Sequence, residues 1–312
     1  MINFRFHVVS LVAVFLALAV GVVMGYGVLS QPTVDALNDR IARVERRADS
    51  IKAENDELRD ESSRLKDYLT GLAPHAVSDQ LSVSTVVVVA TRGIDDKPVH
   101  ESVVLARQAS ATVSGVVWLE AKWKLGNDDD TTALANQLGI PTSRKNTVRD
   151  AGWRLLAERL VSGGTNGRDD LLATLQQSGF ISFDTVGGPD TTVSRIDGRG
   201  AQVLLIGGPK AAMASKQSVV PLVDDLVAIK APVVVGEVWA SRENGPRRGA
   251  LLSPIRGSDT LSRTVSTVDD VDLTQGRIAA VLALADLTRN VVGQYGIGEG
   301  AGDGQLPAPV SP

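Results

Sequence analysis

Ser84-Thr85-Val86-Val87-Val88-Val89-Ala90 places four consecutive valines in a short, uncharged run. A β-branched run without apolar–polar alternation reads as a strand buried on both faces, as in a parallel sheet. Similar runs lie at 113–119, 203–206 and 233–238, with weaker candidates at 181–183 and 264–268. Helical patterns occupy 101–109, 131–138, 151–161, 168–177 and 219–229, and a last helix is expected over 273–287. Apolar strands alternating with helices predict an α/β fold, a mostly parallel three-layer domain over residues 83–295.

In such sheets ligands bind outside the carboxyl ends of the strands. The candidate crevice is therefore Thr91-Arg92-Gly93, Gly207-Gly208-Pro209-Lys210 and Glu237, with Arg92, Gly207, Gly208 and Lys210 its leading residues. The glycine pair would let a ligand approach backbone N–H groups, but a tight strand-to-helix turn uses the same residues. The phosphate-binding pattern GxxxxGK[ST] is absent, and no GxGxxG follows a strand.

No catalytic constellation is evident, and the expectation is a protein that is not an enzyme. Beyond the N-terminal segment the only histidines are His75 and His100, both expected to face solvent, the first in a linker and the second before a helix. Asp128-Asp129-Asp130 and the group Asp269, Asp270 and Asp272 precede helices, where carboxylates cap and favour the helix dipole. Trp118, Trp123, Trp153 and Trp239 read as core residues. No cofactor is evident.

Upstream of the domain the period changes. Taking Val34 as an a position of a heptad, the a series is Val34, Ile41, Ala48, Asn55, Ser62 and Leu69, and the d series is Leu37, Val44, Ile51, Leu58, Leu65 and Leu72. About six heptads without a stutter predict a coiled coil. Asn55 at an a position points to a parallel dimer in fixed register. In that arrangement g faces the next e: Arg40 with Glu45, Glu54 with Arg59 and Glu61 with Lys66 attract, while Arg47 with Lys52 repels. The stalk is expected over 31–73 and would reach roughly 60 Å. Gly71 and Pro74 are expected to end it, with a linker at 74–82.

Upstream again, Val8 to Leu29 is almost wholly apolar and long enough to span a bilayer. Gly21 and Gly25 make a small-xxx-small pair, and Tyr26 falls near the outer interface. The rival is a cleaved signal peptide, but the run exceeds the usual ~7–15 residue apolar region and no A-x-A-like site comes after it. An uncleaved single-pass anchor over 1–30 is the expectation, in contact with membrane lipid. Arg5 favours the N-terminus inside, whereas Arg40, Arg43, Arg46 and Arg47 pull the other way. The preferred orientation exports the chain beyond the helix. Residues 296–312, rich in Gly and ending in Pro-Ala-Pro-Val-Ser-Pro, read as a disordered tail.

Composition limits function further. The net charge of −4 over 312 residues provides no basic face for nucleic acid. The chain has no cysteine, so disulfides, thiolate metal sites and cysteine nucleophiles are excluded together.

Two segments carry a resemblance. The stretch from Arg5-Phe-His-Val-Val-Ser to Val23-Met-Gly25 and the stretch Ser266-Thr-Val-Asp-Asp-Val-Asp-Leu-Thr-Gln-Gly-Arg-Ile-Ala-Ala-Val-Leu-Ala-Leu-Ala-Asp286, with Gly293-Gln-Tyr-Gly296, resemble the actinobacterial copper transport protein B family. The order of anchor, coil and α/β domain is similar over essentially the whole chain. The resemblance implies copper as a transported ion, a role in efflux and resistance, and an envelope location with the outer membrane included. Some relatives are linked instead to cell separation and peptidoglycan hydrolase control, which implies another envelope protein as partner. No copper ligand can be carried over. Cu(I) prefers thiolate and thioether and Cu(II) suits imidazole, yet Met213, His75 and His100 are far apart in sequence.

Overall fold

A computed structural model describes residues 4–28, 31–141, 144–163, 170–188, 191–240 and 245–308, with residues 26–28 and 31–33 described as backbone only. The Tyr26 side chain, Leu29, the start of the helix expected from 168, and residues 309–312 of the tail lie outside that description. The chain divides into two compact units, Met1–Leu65 and Lys66–Pro312.

Helix α1 (Phe4–Val28) is apolar throughout, and its Phe4–Gly25 portion is long and apolar enough to cross a membrane. Helix α2 (Gln31–Val77) is polar overall and runs for 47 residues. Of its apolar a and d side chains, Val34, Leu37, Ile41, Val44, Ile51, Leu58, Leu65 and Leu72 are exposed, whereas Leu69 is half-buried. The expected stop at Gly71 and Pro74 is corrected: the helix passes both and ends at Val77, so His75 is an exposed helical residue rather than part of a linker. Proline inside a helix removes one backbone hydrogen bond and clashes with the preceding turn, at about 3 kcal/mol. Burial of Ala73 and Val77 on either side of Pro74, at 5% and 0% exposure, opposes that cost.

The second unit is built on a seven-stranded sheet: β1 (Val86–Thr91), β2 (Val116–Leu119), β3 (Ile181–Asp184), β4 (Gln202–Gly207), β5 (Val233–Glu237), β6 (Val265–Val268) and β7 (Gln294–Tyr295). The spatial order is β3-β2-β1-β4-β5-β6-β7, and every neighbouring pair is parallel except β2 with β3. Strand β7 has no counterpart among the sequence expectations; at two residues it is too short to leave a pattern. The connecting helices are α3 (Asp96–Gln108), α4 (Asp128–Leu138), α5 (Lys145–Ser162), α6 (Leu171–Gln177), α7 (Val219–Ala228), the single turn α8 (Ser253–Arg256) and α9 (Thr274–Leu287).

The valine run of β1 is buried on both faces, as its composition predicts. Val87 and Val89 join a hydrophobic cluster with Trp153, Leu156 and Leu160 of α5 and Leu222 and Leu226 of α7. Val86, Val88 and Ala90 join a second cluster with Val99 and Val103 of α3, Ala280 and Leu284 of α9, and Ala73 and Val77 at the end of α2. Alternation along the strand thus sends successive side chains into two separate cores.

The tail expectation is corrected for residues 296–308, which fold back on the domain. The Gly296 N–H donates to the Gly304 carbonyl, and the N–H groups of Ile297 and Gly298 both donate to Asp269 Oδ1. Composition alone does not reveal this, because the groups holding the segment belong to other elements.

Candidate functional site at the strand ends

Strand order reverses between β1 and β4, the position at which doubly wound sheets open a crevice. The structure brings the sequence candidates together there, since Ala90 pairs with Ile206 and the two adjoining turns lie side by side. The turns fill the crevice themselves. A Cβ on Gly93 (φ +100°) would lie 2.7 Å from the Lys210 carbonyl oxygen, and one on Gly208 would run into the Val238 carbonyl. The Ala212 N–H donates to the Arg92 carbonyl at 2.6 Å, and the Val238 N–H to the Gly207 carbonyl at 2.8 Å. These glycines serve close backbone approach within the fold. Lys210 is exposed. Arg92 engages the β2–β3 edge: its Nε donates to Glu120 Oε1 at 3.1 Å, and its guanidinium lies 4.3 Å from the centre of the Trp118 ring.

Beside this closed crevice lies a cavity of about 360 Å³, lined among others by Gly208, Met213, Ser215, Glu237, Pro246 and Leu251. Glu237 closes β5 and is buried, with its carboxylate accepting from the N–H groups of Gly249 and Leu251. Burial pushes its pKa up to about 7, against the lowering effect of those two donors.

Next to it, the acids before α9 do not cap that helix. Leu273 occupies the N-cap position without a side-chain hydrogen bond. Asp269 is fully buried, pairs with Arg256 (Nη1 to Oδ2, 2.9 Å) and takes the two tail N–H groups on its other oxygen. Asp272 receives Arg248 through two bonds of 2.6 and 2.9 Å, and the Trp239 N–H at 3.2 Å. Asp270 is also fully buried, and neither of its oxygens has a hydrogen-bond partner among the described residues. Burial first, and the neighbouring Asp269 second, raise its pKa to about 6. Arg256 extends the network to the Tyr295 and Glu299 carbonyls. The sequence holds one signal for this cluster: acids at 269, 270 and 272 interrupt an apolar strand-to-helix passage inside a segment that carries the family resemblance.

The remaining candidates divide. Asp128, Asp129 and Asp130 do open α4, capped by Asn127. Trp118, Trp123 and Trp153 are core residues, the latter two stacked with ring centres 3.9 Å apart, whereas Trp239 is half-buried under Arg248. His100 is corrected: it lies inside α3, half-buried against the Trp118 ring, with Nε2 3.5 Å from Asp184 Oδ2. Among the described residues, no three His, Cys, Asp or Glu side chains are grouped so as to hold a metal ion. Met213, the one thioether beside Glu237, is a single soft donor where Cu(I) calls for several.

Fold and site together define a chain with one apolar N-terminal helix of membrane-spanning length and a doubly wound α/β unit whose strand ends hold buried ion pairs. The model of the family described as copper transport outer membrane protein, MctB, matches residues 1–305, and the chain belongs to that family. Similar curated proteins are the copper transporters MctB of Mycobacterium tuberculosis, Mycobacterium bovis and Mycobacterium leprae. Each is 30% identical over 316 residues, covering 96% of this chain and 98% of the relative.

Proposed function

We propose that this chain is a membrane-tethered envelope protein that promotes copper efflux and copper resistance, acting as an oligomer or with a partner. The observation that carries the copper reading is the family match over residues 1–305, which takes in every described strand and helix. The chain's own chemistry bears on mechanism. Among the described residues one helix is long and apolar enough to span, and a single span tethers more readily than it conducts; the absence of cysteine leaves few soft donors for Cu(I). Copper is therefore cargo moved by an assembly, not an ion resident in this domain. In this reading α1 is uncleaved, the α/β head, read as three layers from its two hydrophobic clusters, is extracytoplasmic, and the outer membrane is the membrane that the family description names. The test is a strain lacking the chain: cell-associated copper should rise and growth should fail at lower copper, with recovery on complementation. Unchanged copper content and tolerance would overturn the proposal.

A second reading is a non-enzymatic coiled-coil scaffold or regulator of envelope or cell-separation machinery. The exposed apolar stripe on α2 favours it. Its test is co-purification of envelope proteins with the full chain and with a chain lacking residues 34–72; capture that survives the deletion would sink the stalk's role.

A further inference from the structure

We propose that a second copy of this chain covers the apolar stripe of α2, parallel and in register, as a two-stranded coil from Val34 to Leu72. The stripe is large: its leucine, isoleucine and valine side chains stand about half exposed on an otherwise polar helix, Leu58 at 56%. A helix of this length and polarity draws little stability from itself and needs a partner for its apolar face. The spacing of that face is 3.5 residues, the period of a coil seam rather than of a helix lying on a domain.

Four observations select a second copy as the occupant. The flanking charges complement themselves in a parallel pair, with Arg40–Glu45, Glu54–Arg59 and Glu61–Lys66 attractive against one repulsive pair, Arg47–Lys52. Asn55 meets Asn55 only in a parallel, in-register pair, where two amides can satisfy each other. A reversed partner would set it against a d-position leucine or isoleucine, and a slip of one heptad against Ala48 or Ser62. At its lower end the seam is only partly covered, with Leu69 at an a position half-buried. The domain buries Ala73 and Val77, at e and b positions, while Leu72 at d remains 40% exposed. Finally, each copy carries its own apolar α1, so two tethered copies would enter the coil from the same side; that clause alone rests on the proposed membrane tether.

The absence of native cysteine makes the test clean. Leu58→Cys and Ser62→Cys would place one thiol on the seam, and Ala53→Cys one on the outer face, in the full chain in membranes under mild oxidation. Disulfides form only when Cα atoms come within about 7 Å. Both seam variants should cross-link to covalent dimers at least tenfold more than Ala53→Cys, and Ser62→Cys covers the case in which loss of Leu58 loosens the coil. Mixing differently tagged Leu37→Cys and Leu65→Cys chains should give only like-with-like bridges. Mixed bridges, equal cross-linking at residue 53, no cross-linking at either seam position, or a native mass of three copies would each overturn the proposal. None of these readouts depends on copper, so failure here is separable from failure of the transport reading.

Discussion

The turns after β1 and β4 and the turns after β5 and β6 lie on the same edge of one sheet, but they are built from different materials. The first pair uses glycine, and the space a ligand would take is filled by backbone from the adjoining turn. The second pair uses carboxylates, two of them neutralised by arginines and one, Asp270, left without a hydrogen-bond partner among the described residues. A glycine pair after a strand therefore identifies close packing as readily as it identifies a ligand loop. Charged residues placed where a helix cap is expected can instead be interior ion pairs. A bulky side chain at position 208 would strike the Val238 carbonyl whether or not a ligand binds.

The largest effect should come from the acidic side. Asp269→Ala would strand the buried Arg256 guanidinium and orphan the N–H groups of Ile297 and Gly298. Removing one partner of a buried pair costs about 3–5 kcal/mol. Denaturant unfolding should show that loss, and amide exchange should accelerate across 296–304; protection unchanged there would contradict the role of Asp269 in holding this strap.

Asp270→Asn should act in the opposite direction. The folded pKa of Asp270 is raised to about 6, so the native state holds its proton more tightly than the unfolded chain. Stability linked to this group is complete below the unfolded value near 3.9 and is lost as pH rises through about 6. The asparagine variant should gain up to about 3 kcal/mol over the parent at pH 8 and gain little at pH 4. Glu237, raised to about 7, adds a loss of the same sign. Parallel pH–stability curves for variant and parent would show that Asp270 titrates normally.

On the glycine side, Gly208→Ala should cost about 1–3 kcal/mol through overpacking. Thermal unfolding would measure it, and a neutral result would mean that the crevice is open. Smallest of all, Lys210→Ala changes an exposed side chain and should stay within about 0.5 kcal/mol. A larger shift would give Lys210 a role that its exposure does not suggest.

The strands are legible because four valines in a row have few structural alternatives. Topology brings the two glycine turns together. Of the two uses open to them, the packing beside Gly93 and Gly208 fits the tight turn. A sequence does not tell the two apart, because it does not show what fills the space beside a glycine. The roles of Asp269 and Asp272 are hidden because their partners, Arg256 and Arg248, lie at least 13 positions away along the chain. Helix α2 overruns its expected end for a related reason: Pro74 is a local signal, and the burial of Ala73 and Val77 that opposes it is not.

The strap over Asp269 comes last along the chain. Synthesis runs from α1 toward β7, so β6 and its buried arginine–aspartate pair emerge before residues 294–304, which complete their hydrogen bonding. Until then β6 is a bare sheet edge with charge at its end, and a chain interrupted before Gln294 would stay in that state. A product truncated there would keep an unpaired sheet edge, and Asp269 would lack the two N–H donors of Ile297 and Gly298.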